Sequence, residues 1–152
     1  MGKVCCFTGH RVISDDQKEL YNTVKDEILK LIEDGFDEFR CGGALGFDAL
    51  CADAVIEVRK KYPKIRLVFY IPCLDQDKFF NTKQKARYKK QLESGNKILC
   101  LSETYYDGCM LDRNKAMVNG SDLCIAYLRH NRGGTAFTVR FAGTQHCPVK
   151  MV

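Results

Sequence analysis

No stretch of this 152-residue chain approaches the roughly 20 consecutive apolar residues that a membrane-spanning helix needs, so no membrane partner is expected. It has no CxxC pair and no Cys/His cluster at zinc spacing, so no metal site is expected. It also lacks both the GxGxxG turn of dinucleotide dehydrogenases and the lysine of a P-loop, which argues against both enzyme classes. Linkers, diagnostic repeats and low-complexity segments are missing too, so residues 1–152 read as a single domain. Met1-Gly2-Lys3-Val4 enters a strand-like segment at once, so no signal peptide is expected. Cys6 stands where a myristoylation signal carries Ser or Thr, so that modification is not expected either.

What is present is ordinary for a globular domain: 45% hydrophobic and 28% charged residues. The net charge of +5 is mild and suits an anionic ligand without demanding nucleic acid. The densest basic stretch, Lys83 to Lys90, reads as the solvated face of a helix. A nucleic-acid contact there, with Tyr88 among the lysines, is the minor alternative. Nine cysteines fall mostly in strand-like segments, where a free thiol behaves as a small apolar group, and a reducing cytoplasm is the expected location.

Apolar runs alternate with helical patterns from end to end. Strands are expected at Val4–Thr8, Glu38–Cys41, Ile65–Ile71, Lys97–Leu101, Leu123–Leu128 and Val149–Val152. Helices are expected from Ser14 to Gly35, with Ser14 and Gln17 as a capping box, and over Phe47–Lys61, Asp77–Ser94, Met110–Asn119 and Thr135–Ala142. This alternation predicts a three-layer α/β/α architecture with a mostly parallel, doubly wound sheet.

Three strand ends run into glycine-bearing turns: Phe7-Thr8-Gly9-His10-Arg11, Cys41-Gly42-Gly43-Ala44-Leu45-Gly46-Phe47-Asp48 and Arg132-Gly133-Gly134-Thr135-Ala136. In a parallel sheet such turns open on one edge, where glycine admits a close ligand and the next helix aims its amides at an anion. Candidate ligand residues are therefore Thr8, Gly9, His10 and Arg11 on the first turn and Gly42, Gly43, Gly46 and Asp48 on the second. Gly133, Gly134 and Thr135 belong to the third, with Arg113 and Asn114 from a charged helix start nearby. Arg11 suits bidentate phosphate contact. His10 reads equally as ligand contact or structural residue, and Asp48 and Thr135 also read as helix caps.

FTGHR, CGGALGFDA, DRNKAM with its following SD, and GGTAFTVRFA together resemble the YpsA-type branch of the SLOG superfamily over nearly the whole chain. That resemblance implies a Rossmann-like fold and a nucleotide or nucleotide-derived ligand, related to NAD or ADP-ribose, held in sensing or regulation without a required cofactor. Related groups include the Lonely Guy phosphoribohydrolases and the DNA-processing protein A family, and dimers among such relatives make a homo-oligomer an expectation. Met110, Arg113 and Lys115 resemble one Lonely Guy motif, and Gly133 and Gly134 match the glycine pair of another. Its catalytic glutamate is replaced by Val139, with Arg140 following, and Arg132 replaces its proline. Phosphoribohydrolase activity stands as the alternative; N-glycosidic cleavage needs a carboxylate, and Arg113 and Asp48 are the catalytic candidates, with Asp107 or Asp112 the other acids that could substitute.

Overall fold

Eleven elements follow one another as β1 (Lys3–Gly9), α1 (Gln17–Glu33), β2 (Phe36–Cys41), α2 (Phe47–Arg59), β3 (Arg66–Ile71), α3 (Thr82–Ser94), β4 (Lys97–Cys100), α4 (Cys109–Val118), β5 (Leu123–Tyr127), α5 (Gly133–Thr144) and β6 (Val149–Met151). The structure is a computed structural model and describes residues 2–152. The six strands form one sheet in the order β4-β3-β2-β1-β5-β6. Every pairing is parallel, the short closing strand included. The chain builds outward from β1 in one direction and then in the other, so the switch point lies between β1 and β5, where such sheets bind ligands.

Side chains alternate across the sheet and define the two outer layers. Cys5 and Phe7 of β1 pack with Leu20, Val24 and Ile28 of α1, with Leu50 and Ala54 of α2, and with Tyr88 of α3. Cys6, between them, turns the other way and packs with Met117 and Val118 of α4 and Ala142 of α5. Fully buried side chains such as Phe39 and Ile28 each contribute about 1.5–3 kcal/mol. Eight of the nine cysteines lie in this interior as free thiols, with Cys100 exposed. No described helix is long and apolar enough to cross a membrane.

Three helix starts differ from expectation. Asp16, not Ser14, caps α1 by accepting the Glu19 amide at 3.0 Å. The Ser14 hydroxyl instead meets Asp15 and Tyr127, so it holds a loop and not the helix. α3 begins at Thr82, five residues later than the charge pattern suggests, behind a reciprocal capping box of Asn81 and Gln84. α5 begins at Gly133, with Arg132 at the cap position and no capping side chain, so Thr135 sits inside the first turn.

Candidate functional site

The loop leaving β1 is fastened at both ends. The Phe47 amide, first in α2, donates to the His10 carbonyl at 3.1 Å. At the far end the Tyr127 hydroxyl donates to Asp15 at 2.8 Å and accepts the Ser14 and Asp15 amides. Arg129 grips the same carboxylate with two nitrogens, at 3.0 and 2.9 Å. These contacts hold the Asp15 carboxyl down at about 2, with Arg129 the largest cause and Tyr127 the next.

His10 lines the cavity described below and is also held by its neighbours. Its Nε2 accepts the Arg129 amide at 2.8 Å, and its ring stacks on His130 with centroids 3.9 Å apart. Desolvation, then the nearby His130 and Arg129, lowers its pKa below the usual 6.5. The folded protein therefore binds that proton more weakly than the unfolded chain. Stability from this group is complete above pH 6.5 and falls as pH drops through the lowered folded value. We expect denaturation midpoints to fall between pH 7.5 and pH 5, and to fall less in His10→Gln, whose amide oxygen accepts the same N–H at any pH. Equal pH dependence in the two proteins would remove this role for His10.

The second glycine turn works inwardly. A Cβ on Gly42 would stand 2.7 Å from the Asp48 carboxylate and 2.8 Å from the Arg113 guanidinium, so the glycine lets both charges close on the backbone. Both side chains are buried, with 5% of Asp48 and 3% of Arg113 exposed. Arg113 Nη1 donates to the Gly42 carbonyl and, at 3.2 Å, to Gln76 Oε1, while its Nε donates to Asn114 at 2.8 Å. The Gln76 amide returns to the Gly42 carbonyl and to the Tyr88 hydroxyl, both at 3.2 Å. Burial pushes the Asp48 carboxyl up, against the opposing pull of Arg113 and of the Ala44 amide that donates to it. Gly46 has φ 76°, and a Cβ there would collide with the Arg11 carbonyl. Gly42, Gly43 and Gly46 do not line the cavity described next, and a Cβ on each would meet other parts of the chain.

Between the ends of β1 and β5 opens a cavity of about 450 Å³ lined by ten of the thirteen expected positions. α5 points its start at this cavity. The first amides of a helix have no intrahelical partner, and no side chain caps these. Thr8 and Thr135 line the cavity with 4% and 6% of their surface exposed, and neither hydroxyl meets a protein partner among the described residues. Asn114 lines it too but spends its amide on Thr138 at 2.9 Å, tying α4 to α5.

Charge at the cavity is predominantly positive. Arg11 and Arg132 are exposed there, and among the described residues neither guanidinium has an ion-pair partner. Asp48 is the sole carboxylate on the wall. Asp112 is tied to Tyr106 at 2.7 Å instead, and Asp107 does not line the cavity. On α5 Val139 is half-buried and Arg140 exposed, so neither position carries an acid. Lys83, Lys85, Lys89 and Lys90 are exposed on α3, while Arg87 pairs with Asp53 at 2.7 Å. An uncapped helix start, two hydroxyls without a partner among the described residues and two open guanidiniums have the chemistry that suits an anion.

Sequence reasoning did not single out Arg132 as a ligand contact, nor the Asp15–Tyr127–Arg129 clamp or the Gln76 anchor. Arg132 was detectable as a cation beside a glycine-rich helix start. The clamp joins residues 112 and 114 positions apart and leaves no local signal.

The chain is 27% identical over 136 residues to the SPbeta prophage-derived protein YoqJ of Bacillus subtilis, covering 78% of this chain and 80% of that one. It is 24% identical over 122 residues to a UPF0398 protein of Brevibacillus brevis, covering 78% of this chain and 65% of the relative. Among solved structures it is similar to DNA processing protein A of Helicobacter pylori, with TM-score 0.72 and 23% identity over 99% of this chain and 65% of that one. It is similar also to DNA processing protein A of Streptococcus pneumoniae, with TM-score 0.72 and 20% identity over 99% of this chain and 50% of that one. These likenesses agree with the parallel sheet and its helical layers. Residues 7–146 match the model of the YspA SLOG family, and the chain belongs to that family.

Proposed function

We propose that the protein binds a nucleotide or nucleotide-derived ligand and anchors its phosphate at the start of α5. The observation that carries this reading is the uncapped Gly133-Gly134-Thr135 turn facing a cavity flanked by unpaired Arg11 and Arg132. In the bound state the first-turn amides and the Thr8 and Thr135 hydroxyls donate to phosphate oxygens. Arg11 and Arg132 close over the phosphate from the solvent side. A hydrogen bond to a charged group contributes about 1.5–3 kcal/mol, and the helix start adds about 0.3–1 kcal/mol.

Calorimetric titration with AMP and adenosine tests the reading. AMP is expected to bind and adenosine to bind far more weakly, and Arg11→Ala is expected to weaken AMP by about 10- to 100-fold. Equal affinity for AMP and adenosine, or an Arg11→Ala protein that binds AMP normally, would contradict it. A single-stranded oligonucleotide belongs in the same series, since such DNA is the partner named for the Helicobacter pylori protein. Salt-sensitive binding of that strand tighter than AMP would move the assignment to nucleic acid.

One observation favours a second reading, hydrolysis of the N-glycosidic bond. Asp48 presents a carboxyl with a raised pKa on the cavity wall, as a proton donor to a leaving base requires. Release of adenine from AMP, lost in Asp48→Asn, supports it; a protein that binds AMP and releases no base contradicts it.

A further inference from the structure

A second cavity, of about 560 Å³, adjoins the anion site and shares Arg11, Ala44 and Met110 with it. Its character is different. Phe79, Phe80 and Tyr105 stand around it with Leu45 and Met110, and its wall is largely apolar. Phe79 is 91% exposed and Tyr105 is 59% exposed. An aromatic ring left in water forgoes the burial free energy that a packed ring contributes, and a cluster of such rings around a hollow marks a binding surface.

The segment carrying Phe79 is built and not loose. Between β3 and α3 the chain makes successive turns, with the Gln76, Lys78 and Phe80 amides donating to Cys73, Asp75 and Asp77 carbonyls at 3.3, 3.0 and 3.0 Å. Gln76 anchors this segment to Gly42 and Tyr88. Phe80 packs edge-on against Tyr88, with centroids 5.5 Å apart. The Lys78 ammonium lies over the Phe79 ring, 5.5 Å from its centroid. Asp75 is the sole acid on this wall. As a carboxylate it accepts hydrogen bonds and donates none.

We propose that this hollow is the nucleobase subsite of the same ligand, with the base stacked on Phe79 and Tyr105 and an exocyclic amine of the base donating to Asp75. The proposal rests on the phosphate site above and adds the chemical class of the base. Adenine, cytosine and guanine carry such an amine, whereas hypoxanthine and uracil present a carbonyl oxygen that Asp75 repels. A phosphate at α5 and a base beside Phe79 place the sugar against Ala44 and Met110, which border both hollows.

Titration with ribose 5-phosphate, AMP and IMP separates the two levels. Ribose 5-phosphate reads the phosphate site alone. AMP is expected to bind at least about tenfold more tightly than ribose 5-phosphate, the scale of one base stacked on an aromatic ring. Phe79→Ala and Tyr105→Ala are each expected to remove most of that gain and to leave ribose 5-phosphate unchanged. Both side chains project into solvent, so neither replacement disturbs the core. AMP is expected to exceed IMP by about tenfold, with the preference lost in Asp75→Asn. Ribose 5-phosphate binding as well as AMP, or AMP indifferent to Phe79→Ala, would overturn the base subsite while the phosphate site stands. IMP binding as well as AMP would overturn the role of Asp75. Failure of all three ligands to bind would overturn the phosphate site and this subsite with it.

Discussion

Arg113→Met is expected to destabilise the protein by about 3–5 kcal/mol, the cost of removing one member of a buried charged network. Arg113 is 3% exposed, and its guanidinium serves the Gly42 and Tyr70 carbonyls and Gln76. Without it the Gln76 side-chain oxygen loses a donor, the Gly42 carbonyl keeps only the Gln76 amide, and the buried Asp48 carboxyl is left with Arg11 as the remaining cation that opposes its charge. That loss is a large part of the about 5–15 kcal/mol that holds a domain folded. Asp48→Asn/Arg113→Met is expected to recover part of it, because the buried carboxylate is gone; the two sites share a network and do not add. The single variant also regains stability as pH falls, since burial already favours the protonated Asp48 carboxyl. Urea denaturation of the three proteins measures each difference. A single variant within about 1 kcal/mol of the parent would show that Arg113 is not structural. Arg113 is a positioning residue here, and weakened ligand binding in Arg113→Ala reports loss of the fold as much as loss of a contact.

Gly46→Ala carries the second large effect. At φ 76° and ψ −120° the backbone lies in a region that side chains rarely adopt, at a cost of about 1–3 kcal/mol. The new methyl group also meets the Arg11 carbonyl, which belongs to backbone and cannot swing aside. Overpacking of this kind costs about 1–3 kcal/mol more. The strain spreads along the loop, because the neighbouring Phe47 amide holds His10. We therefore expect a lower denaturation midpoint together with weaker AMP binding, since Arg11 is displaced from the cavity. A variant with unchanged stability would contradict the close approach of the two turns.

The order of elements was legible because strands buried on both faces, such as Ile65–Ile71, read as continuous apolar runs, while α1 shows its buried residues at helical spacing. The position of the cavity was legible for the same reason: strand ends in a parallel sheet share one edge. Glycine was the ambiguous signal. At Gly133 and Gly134 it opens a helix start to the cavity, whereas at Gly42 and Gly46 it admits other parts of the same chain. The local sequence is alike in both cases. Thr135 misled because threonine is a good cap, yet the helix begins two residues earlier and leaves its amides open where a ligand is expected. Asn81 and Gln84 carry a capping box that the run of charges from Asp77 obscured. The exposed rings of Phe79 and Tyr105 left no periodic signal, since both lie outside the helices and strands.

In the proposed site, backbone amides at the start of α5 hold the phosphate. Following the amide resonances of the labelled protein during titration with AMP tests this most directly. Gly134 and Thr135 are expected to shift first and furthest, with Thr8 and Arg11 moving on the same binding curve. Saturable AMP binding that leaves the Gly134 and Thr135 amides in place would contradict the account.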